Sequence, residues 1–179
     1  PSYTIYLTGC SLRCVFCSEW DPVTRPREHG QPLVPEELAA RITEAGSKGA
    51  RTISFVGGEP GVNMLPVLQT LKMIPPTLPI VWNTNLYSTE EALRILAPHI
   101  DLWLVDLKFG SSACARRLSG RRDYMERVQG ALNLLKQLSA TIMIRHLLMP
   151  DHLECCTLHA LRWLRHNHPE IPVNMMSHF

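Results

Sequence analysis

This sequence has almost no excess of charge: Lys and Arg total 18, Asp and Glu 16, a formal +2 over 179 residues. So small an imbalance excludes a broad nucleic-acid surface, and any basic contact must come from a local cluster. No apolar run is long enough to cross a bilayer as a helix. The first residues, Pro1-Ser2-Tyr3-Thr4-Ile5, lack the basic and apolar regions of a secretory signal, so a cytoplasmic location is expected. Short-period repeats, low-complexity segments and internal boundaries are missing too. One domain over residues 1–179 is therefore expected, with further chain beyond both ends. The apolar fraction of 45% is ordinary for a globular fold of this length.

What is present is cysteine in one place. Three thiols fall in the run Cys10-Ser11-Leu12-Arg13-Cys14-Val15-Phe16-Cys17. A short loop folds back easily over that distance, so the thiols can converge on one metal centre. A cubane iron-sulfur cluster has four irons, each wanting one outside ligand, usually a thiolate. Three cysteines then leave one iron open. A closed structural zinc site would need a fourth ligand, commonly from a downstream Cys or His pair. His29 is the only near candidate, and no such pair follows before Cys114. Three clustered cysteines cannot pair off as disulfides among themselves, and reduced thiols suit the expected compartment.

Strand-like and helix-like segments alternate after this loop. Residues 3–8 read as a strand running straight into the cysteines. Pro35, Glu36 and Glu37 open a helix with Leu38, Ile42 and Ala45 on one face, stopped by Gly49. Residues 52–56 form a buried strand, then a helix that Asn63 caps and Pro75 and Pro76 break. Residues 80–83 are the third strand, followed by a helix with Ser88 and Glu91 as capping box and Pro98 as its end. Strands at 102–107 and 141–147 flank a helix opened by Asp123. Leu158, Leu161 and Leu164 line the last helix before a sixth strand at 173–176.

Such alternation predicts an α/β fold of parallel strands joined by right-handed crossovers. An open doubly wound sheet and a partial barrel both satisfy it, and both gather ligands at the strands' C-terminal ends. Residues able to carry chemistry stand at those ends: Cys10, Gly57-Gly58-Glu59-Pro60, Asn83-Thr84-Asn85, Asp106 and Lys108, Arg145 and His146, Asn174 and His178. The two glycines would let a backbone edge approach a ligand, and Glu59 can accept from an ammonium. Asp106 and Lys108 are two apart on a strand and project from one face, where charges must be paired or ligand-bound. A mutual salt bridge is the plainer alternative. Arg145 suits a carboxylate or ribose contact, with a rim salt bridge again the alternative.

Cys10, Cys14 and Cys17, with Phe16 just before the last thiol, resemble the CxxxCxΦC signature of the radical S-adenosylmethionine (SAM) enzymes. Gly57-Gly58-Glu59-Pro60 is similar to their GGEP element. Trp82-Asn83-Thr84-Asn85, Asp106-Leu107-Lys108 and Ile144-Arg145-His146-Leu147 resemble segments of iron-sulfur proteins related to pyruvate formate-lyase activating enzyme. Asn83 stands where the best-known activases carry Asp. The resemblance covers the whole chain and implies a partial (βα)6 barrel. It further implies a 4Fe-4S cluster held by Cys10, Cys14 and Cys17, with SAM chelated at the free iron. Phe16 would lie near the adenine, and Gly57, Gly58, Glu59, Asn83, Asn85, Asp106, Lys108 and Arg145 would orient SAM. The implied chemistry is reductive cleavage of SAM, fed by a donor such as flavodoxin or ferredoxin, and hydrogen abstraction from substrate. A glycyl residue of a partner enzyme and a small molecule are the candidate substrates. A non-catalytic metal-binding or redox-sensing scaffold is the rival from another class.

Three further features read as inert. Cys155-Cys156 with His152 and His159 could form a second metal site, but adjacent cysteines rarely serve one metal and the segment begins a helix, so buried or idle thiols are expected. Cys114 has no visible partner. Arg116, Arg117, Arg121 and Arg122 around Gly120 read as a solvated loop.

Overall fold

The computed structural model describes residues 1–75 and 77–177, so Pro76 and His178 lie outside the described residues. Its strands are β1 (Ser2–Leu7), β2 (Thr52–Gly57), β3 (Ile80–Thr84), β4 (Leu102–Asp106), β5 (Ile142–Leu147) and β6 (Val173–Met176). The helices are α1 (Trp20–Thr24), α2 (Pro26–His29), α3 (Pro35–Ser47), α4 (Met64–Leu71), α5 (Glu90–Leu96), α6 (Ser112–Ser119), α7 (Tyr124–Gln137) and α8 (Leu158–Asn167). The strands form one sheet in the order β1-β2-β3-β4-β5-β6, each neighbouring pair parallel. A doubly wound sheet reverses its strand order at a switch point. This order never reverses, so every crossover winds the same way and the sheet curls into a partial (βα)6 barrel.

The two-residue period of the strands decides what faces where. Ile53, Phe55, Trp82, Trp103, Val105 and Ile144 are buried and share one core with Ile42, Val67, Leu93, Val128 and Leu132 of the helices. Asn83, Asp106 and Arg145 occupy the alternate positions and so point to the concave side. His146, one residue beyond Arg145, points the other way. It is fully buried, with Nδ1 2.6 Å from the Leu107 carbonyl and Nε2 3.0 Å from the Thr157 hydroxyl. The rim therefore does not include His146, contrary to the expectation from its place in the strand.

Local capping also departs from the sequence pattern. Thr89, not Ser88, caps α5, its hydroxyl accepting from the Ala92 N–H at 3.3 Å. Asn63 does head α4, but its Nδ2 donates to the Thr8 carbonyl at 2.9 Å and no side-chain cap forms. Asp123 precedes α7 with its carboxylate on the Tyr87 hydroxyl and the Arg127 guanidinium. In α8 the buried residues are Ala160 and Leu164, while Leu158 and Leu161 are half-buried.

Helix α6 is the main addition. Ser111 caps its start, and Gly120, at φ +76°, closes its end. Arg116 and Arg117 are thus helical, and Arg121 reaches back to the cysteine loop, so the basic run is not a free loop. Among the described residues no helix is long and apolar enough to cross a membrane.

Candidate metal and cofactor site

The cysteine loop leaves β1 through Gly9, whose φ of +82° turns the chain. The end of β2 lies hard against it: the Gly58 N–H donates to the Leu7 carbonyl and the Glu59 N–H to the Gly9 carbonyl, both at 2.8 Å. A Cβ on Gly58 would sit 2.0 Å from the Gly9 oxygen, and one on Gly57, at φ +110°, 2.3 Å from the Leu7 oxygen. The glycine pair thus serves a close approach to the protein's own backbone. On its other flank the loop is held by α6. The Val15 N–H donates to the Leu118 carbonyl at 2.9 Å, and Arg121 donates to the Ser11 carbonyl through Nε at 3.0 Å and Nη2 at 2.6 Å.

Cys10, Cys14 and Cys17 line one cavity of about 170 Å³ with Phe16, Gly57, Gly58, Asn83, Asn85, Asp106, Lys108 and Arg145. Of the residues that the resemblance nominated to hold the cluster or SAM, only Glu59 does not line it. Its side chain is 1% exposed and its carboxylate is occupied: Oε1 accepts from the Thr84 hydroxyl at 2.7 Å and the Gly61 N–H at 3.2 Å. Oε2 accepts from the Asn85 N–H at 2.7 Å. Glu59 is thereby a clasp between the ends of β2 and β3. Leu12, Ser18, Glu19, Val23 and Thr84 complete the wall. Thr84 stands between Asn83 and Asn85 in their motif, Leu12, Ser18 and Glu19 are signalled only by nearness to the cysteines, and Val23 by nothing in the sequence. A trough of about 840 Å³, lined by Tyr6, Arg27, His29 and Gln31, shares Glu19, Gly57 and Gly58 with this cavity. His29 thus faces the trough and not the thiols.

One carboxylate and two cations meet on the concave face. Asp106 accepts from Arg145 Nε at 2.7 Å and from Lys108 Nζ at 3.2 Å, while Arg145 Nη2 donates to Asn83 Oδ1 at 2.8 Å. The salt bridge considered as the plainer alternative is present, and the Glu59 carboxylate also acts on Lys108. Burial works against the Lys108 ammonium, yet Asp106 and the nearby thiols outweigh it and its pKa ends above the ordinary value. Burial raises the Glu59 carboxyl. It also pushes the Cys14 thiol up to about 12 and raises Cys10, whose sulfur receives the Leu12 N–H and Asn85 Nδ2 at 3.4 Å each. Such donors to a ligating sulfur are how a protein tunes an iron-sulfur centre.

All six cysteines are free thiols. The sulfurs of Cys10, Cys14 and Cys17 do not gather within 4.8 Å of one another as a set; among the described residues the trio that does is Cys114, His152 and Cys155. One tetrahedral zinc, with bonds near 2.3 Å to sulfur, needs its donors about 3.8 Å apart. A cubane binds each thiolate through a different iron and accepts a wider spread. Three free thiols facing one cavity, with no fourth Cys and no His in its wall among the described residues, fit the cluster.

A model of the Radical SAM superfamily matches residues 4–164. The chain belongs to the radical SAM superfamily. Its cofactors are accordingly a 4Fe-4S cluster and SAM. The chain is 36% identical over 185 residues to the uncharacterized protein MJ0674 of Methanocaldococcus jannaschii, covering all of this chain and 54% of that protein. It thus spans about half the length of this curated relative. SuiB of Streptococcus suis bound to SAM superposes with a TM-score of 0.77 at 19% identity, over 99% of this chain and 41% of SuiB. SuiB bound to its precursor peptide SuiA gives 0.76 at 18%, over 98% and 39%. A radical SAM methyltransferase from Sphaerobacter thermophilus gives 0.69 at 16%, over 96% and 54%. At these identities the likeness to the solved structures is one of fold.

Proposed function

We propose that this radical SAM chain cleaves SAM reductively and abstracts hydrogen from a residue of a polypeptide. The observation that carries this reading is the shared cavity: three thiols, with Asp106, Lys108 and Arg145 opposite them. When bound, the cluster and SAM would supply one-electron chemistry for hydrogen abstraction, with the electron drawn from a flavodoxin- or ferredoxin-class donor. The protein's part is to hold and orient. Cys10, Cys14 and Cys17 would ligate the cluster; the cationic heads of Lys108 and Arg145, both in the cavity wall, suit the methionine carboxylate. Asn83 and Asn85 offer amide groups beside it, the Gly57-Gly58 edge admits the amino group, and Phe16 offers the adenine a ring.

A polypeptide substrate is supported by the trough of about 840 Å³ that shares Glu19, Gly57 and Gly58 with the cavity and has room for a chain segment. The activating-enzyme resemblance narrows that class to a glycyl residue of a partner enzyme, and this finer reading rests on the sequence motifs alone. Anaerobic reconstitution tests the first part. Reduced wild-type protein should release 5′-deoxyadenosine from SAM, and Cys14→Ala should lose both the brown absorbance and the release. Colourless zinc-loaded protein without turnover would sink the enzyme reading. Incubation with a candidate partner should give a glycyl-radical signal by electron paramagnetic resonance, and turnover of a small molecule without that signal would reassign the substrate.

A further inference from the structure

A second group of ligand-type side chains lies outside the cavity. Cys114, in the first turn of α6, meets His152 and Cys155 of the turn that follows β5. Cys114 Sγ is 3.5 Å from His152 Nδ1 and 3.5 Å from Cys155 Sγ, and Cys155 Sγ is 3.4 Å from His152 Nδ1. The expectation that Cys114 has no partner is therefore wrong. So is the grouping of Cys156 and His159 with His152. The Cys156 sulfur is buried and accepts the Gly110 N–H at 3.1 Å, and His159 is exposed outside the trio.

We propose that Cys114, His152 and Cys155 form a second metal site, one that takes a single zinc-class ion. The spacing decides the nuclearity. A tetrahedral ion about 2.3 Å from sulfur and about 2.0 Å from nitrogen sets its donors roughly 3.5–3.8 Å apart. All three separations fall at or just below that span. A second cubane would need its thiolates spread over different irons. A disulfide would need the sulfurs at about 2.0 Å.

The donor set decides the ion. Two thiolates and a neutral imidazole are soft-to-borderline ligands that suit zinc over magnesium or calcium. Two thiolate charges balance one dication. Cys114 is buried while Cys155 is exposed, so the fourth position opens to solvent and takes water or an outside ligand. The backbone is suited to the task. His152 stands just before a π-helical turn, Leu153–Thr157, and Cys155 within that turn brings its sulfur to 3.4 Å from His152 Nδ1.

The site also has a mechanical link to the cluster loop. Leu118, which receives the Val15 N–H, lies one turn beyond Cys114 on α6. An ion there ties α6 to the segment after β5 and so stiffens the helix that holds the cysteine loop. Because zinc and iron are counted separately, failure here leaves the cluster reading untouched.

The test uses reconstituted wild-type protein, passed over a metal-free column after incubation with zinc chloride, with zinc, iron and sulfide measured together. About one zinc per chain is expected in addition to the cluster iron. Cys114→Ser and His152→Ala should each lose the zinc and keep the iron, while His159→Ala keeps both. Cys155→Ser, at an exposed position, serves if Cys114→Ser does not fold. Zinc retained in the ligand variants, zinc lost in His159→Ala, extra iron and sulfide in place of zinc, or a Cys114–Cys155 disulfide in the anaerobic protein would each overturn the proposal.

Discussion

Asp106 shows how a single carboxylate can organise one wall of a cavity. It holds Lys108 Nζ and Arg145 Nε on its two oxygens, and Arg145 in turn holds Asn83, so three strands share one network. Partial burial makes each of these contacts stronger than it would be at the surface, and removing one partner strands the others. Lys108 is then the cation through which ligand affinity is best tuned. Lys108→Met should weaken SAM binding to the cluster-loaded protein about 10–100-fold, the loss of one charge-assisted contact of about 1.5–3 kcal/mol. Equilibrium dialysis reads the affinity. Unchanged binding at unchanged iron content would remove Lys108 from the SAM contacts.

At the scale of elements, two glycines of the same type have opposite roles. Gly58 sits where the end of β2 presses on the cysteine loop, and a methyl group there meets the Gly9 carbonyl with no flexible neighbour to give way. Gly58→Ala should cost at least about 1–3 kcal/mol in urea unfolding and lower cluster yield as the loop is displaced. Gly130 lies inside α7, and a Cβ there meets nothing within 4 Å. Gly130→Ala should stabilise by about 0.5–1 kcal/mol, since alanine loses less backbone freedom in a helix. Equal effects at the two positions would mean that close approach at Gly58 is not what holds the loop. Tyr124 makes a similar link between elements. Its hydroxyl accepts the Lys108 N–H at 2.9 Å, carrying α7 to the end of β4, and Tyr124→Phe should cost about 1–3 kcal/mol by leaving that buried N–H unpaired.

For the whole molecule, the buried histidines set the acid limb of stability. Burial lowers the pKa of His146, and burial together with the Lys136 charge lowers that of His168. A histidine depressed in the fold is neutral there, so its contribution is complete above the unfolded value near 6.5 and is lost as pH falls through the folded value. Urea midpoints of the wild-type protein should therefore drop below about pH 6.5, and His146→Gln should flatten that drop while lowering stability at pH 8. Glu59, raised by burial, slopes the other way but does so in both proteins, so their difference isolates the histidine. An identical slope in the variant would remove His146 as its cause. What the sequence alone determined was local: the three-thiol loop, the strands whose alternation places Asn83, Asp106 and Arg145 on one face, and the helices between them. These are written in spacings of a few residues, which the backbone periods convert directly into geometry. Tertiary structure alone decided the unreversed strand order, the inward turn of Glu59 and the meeting of Cys114 with His152 and Cys155. Those features depend on how helices and chain ends pack across dozens of residues, and contacts of that separation leave no periodic trace in the chain.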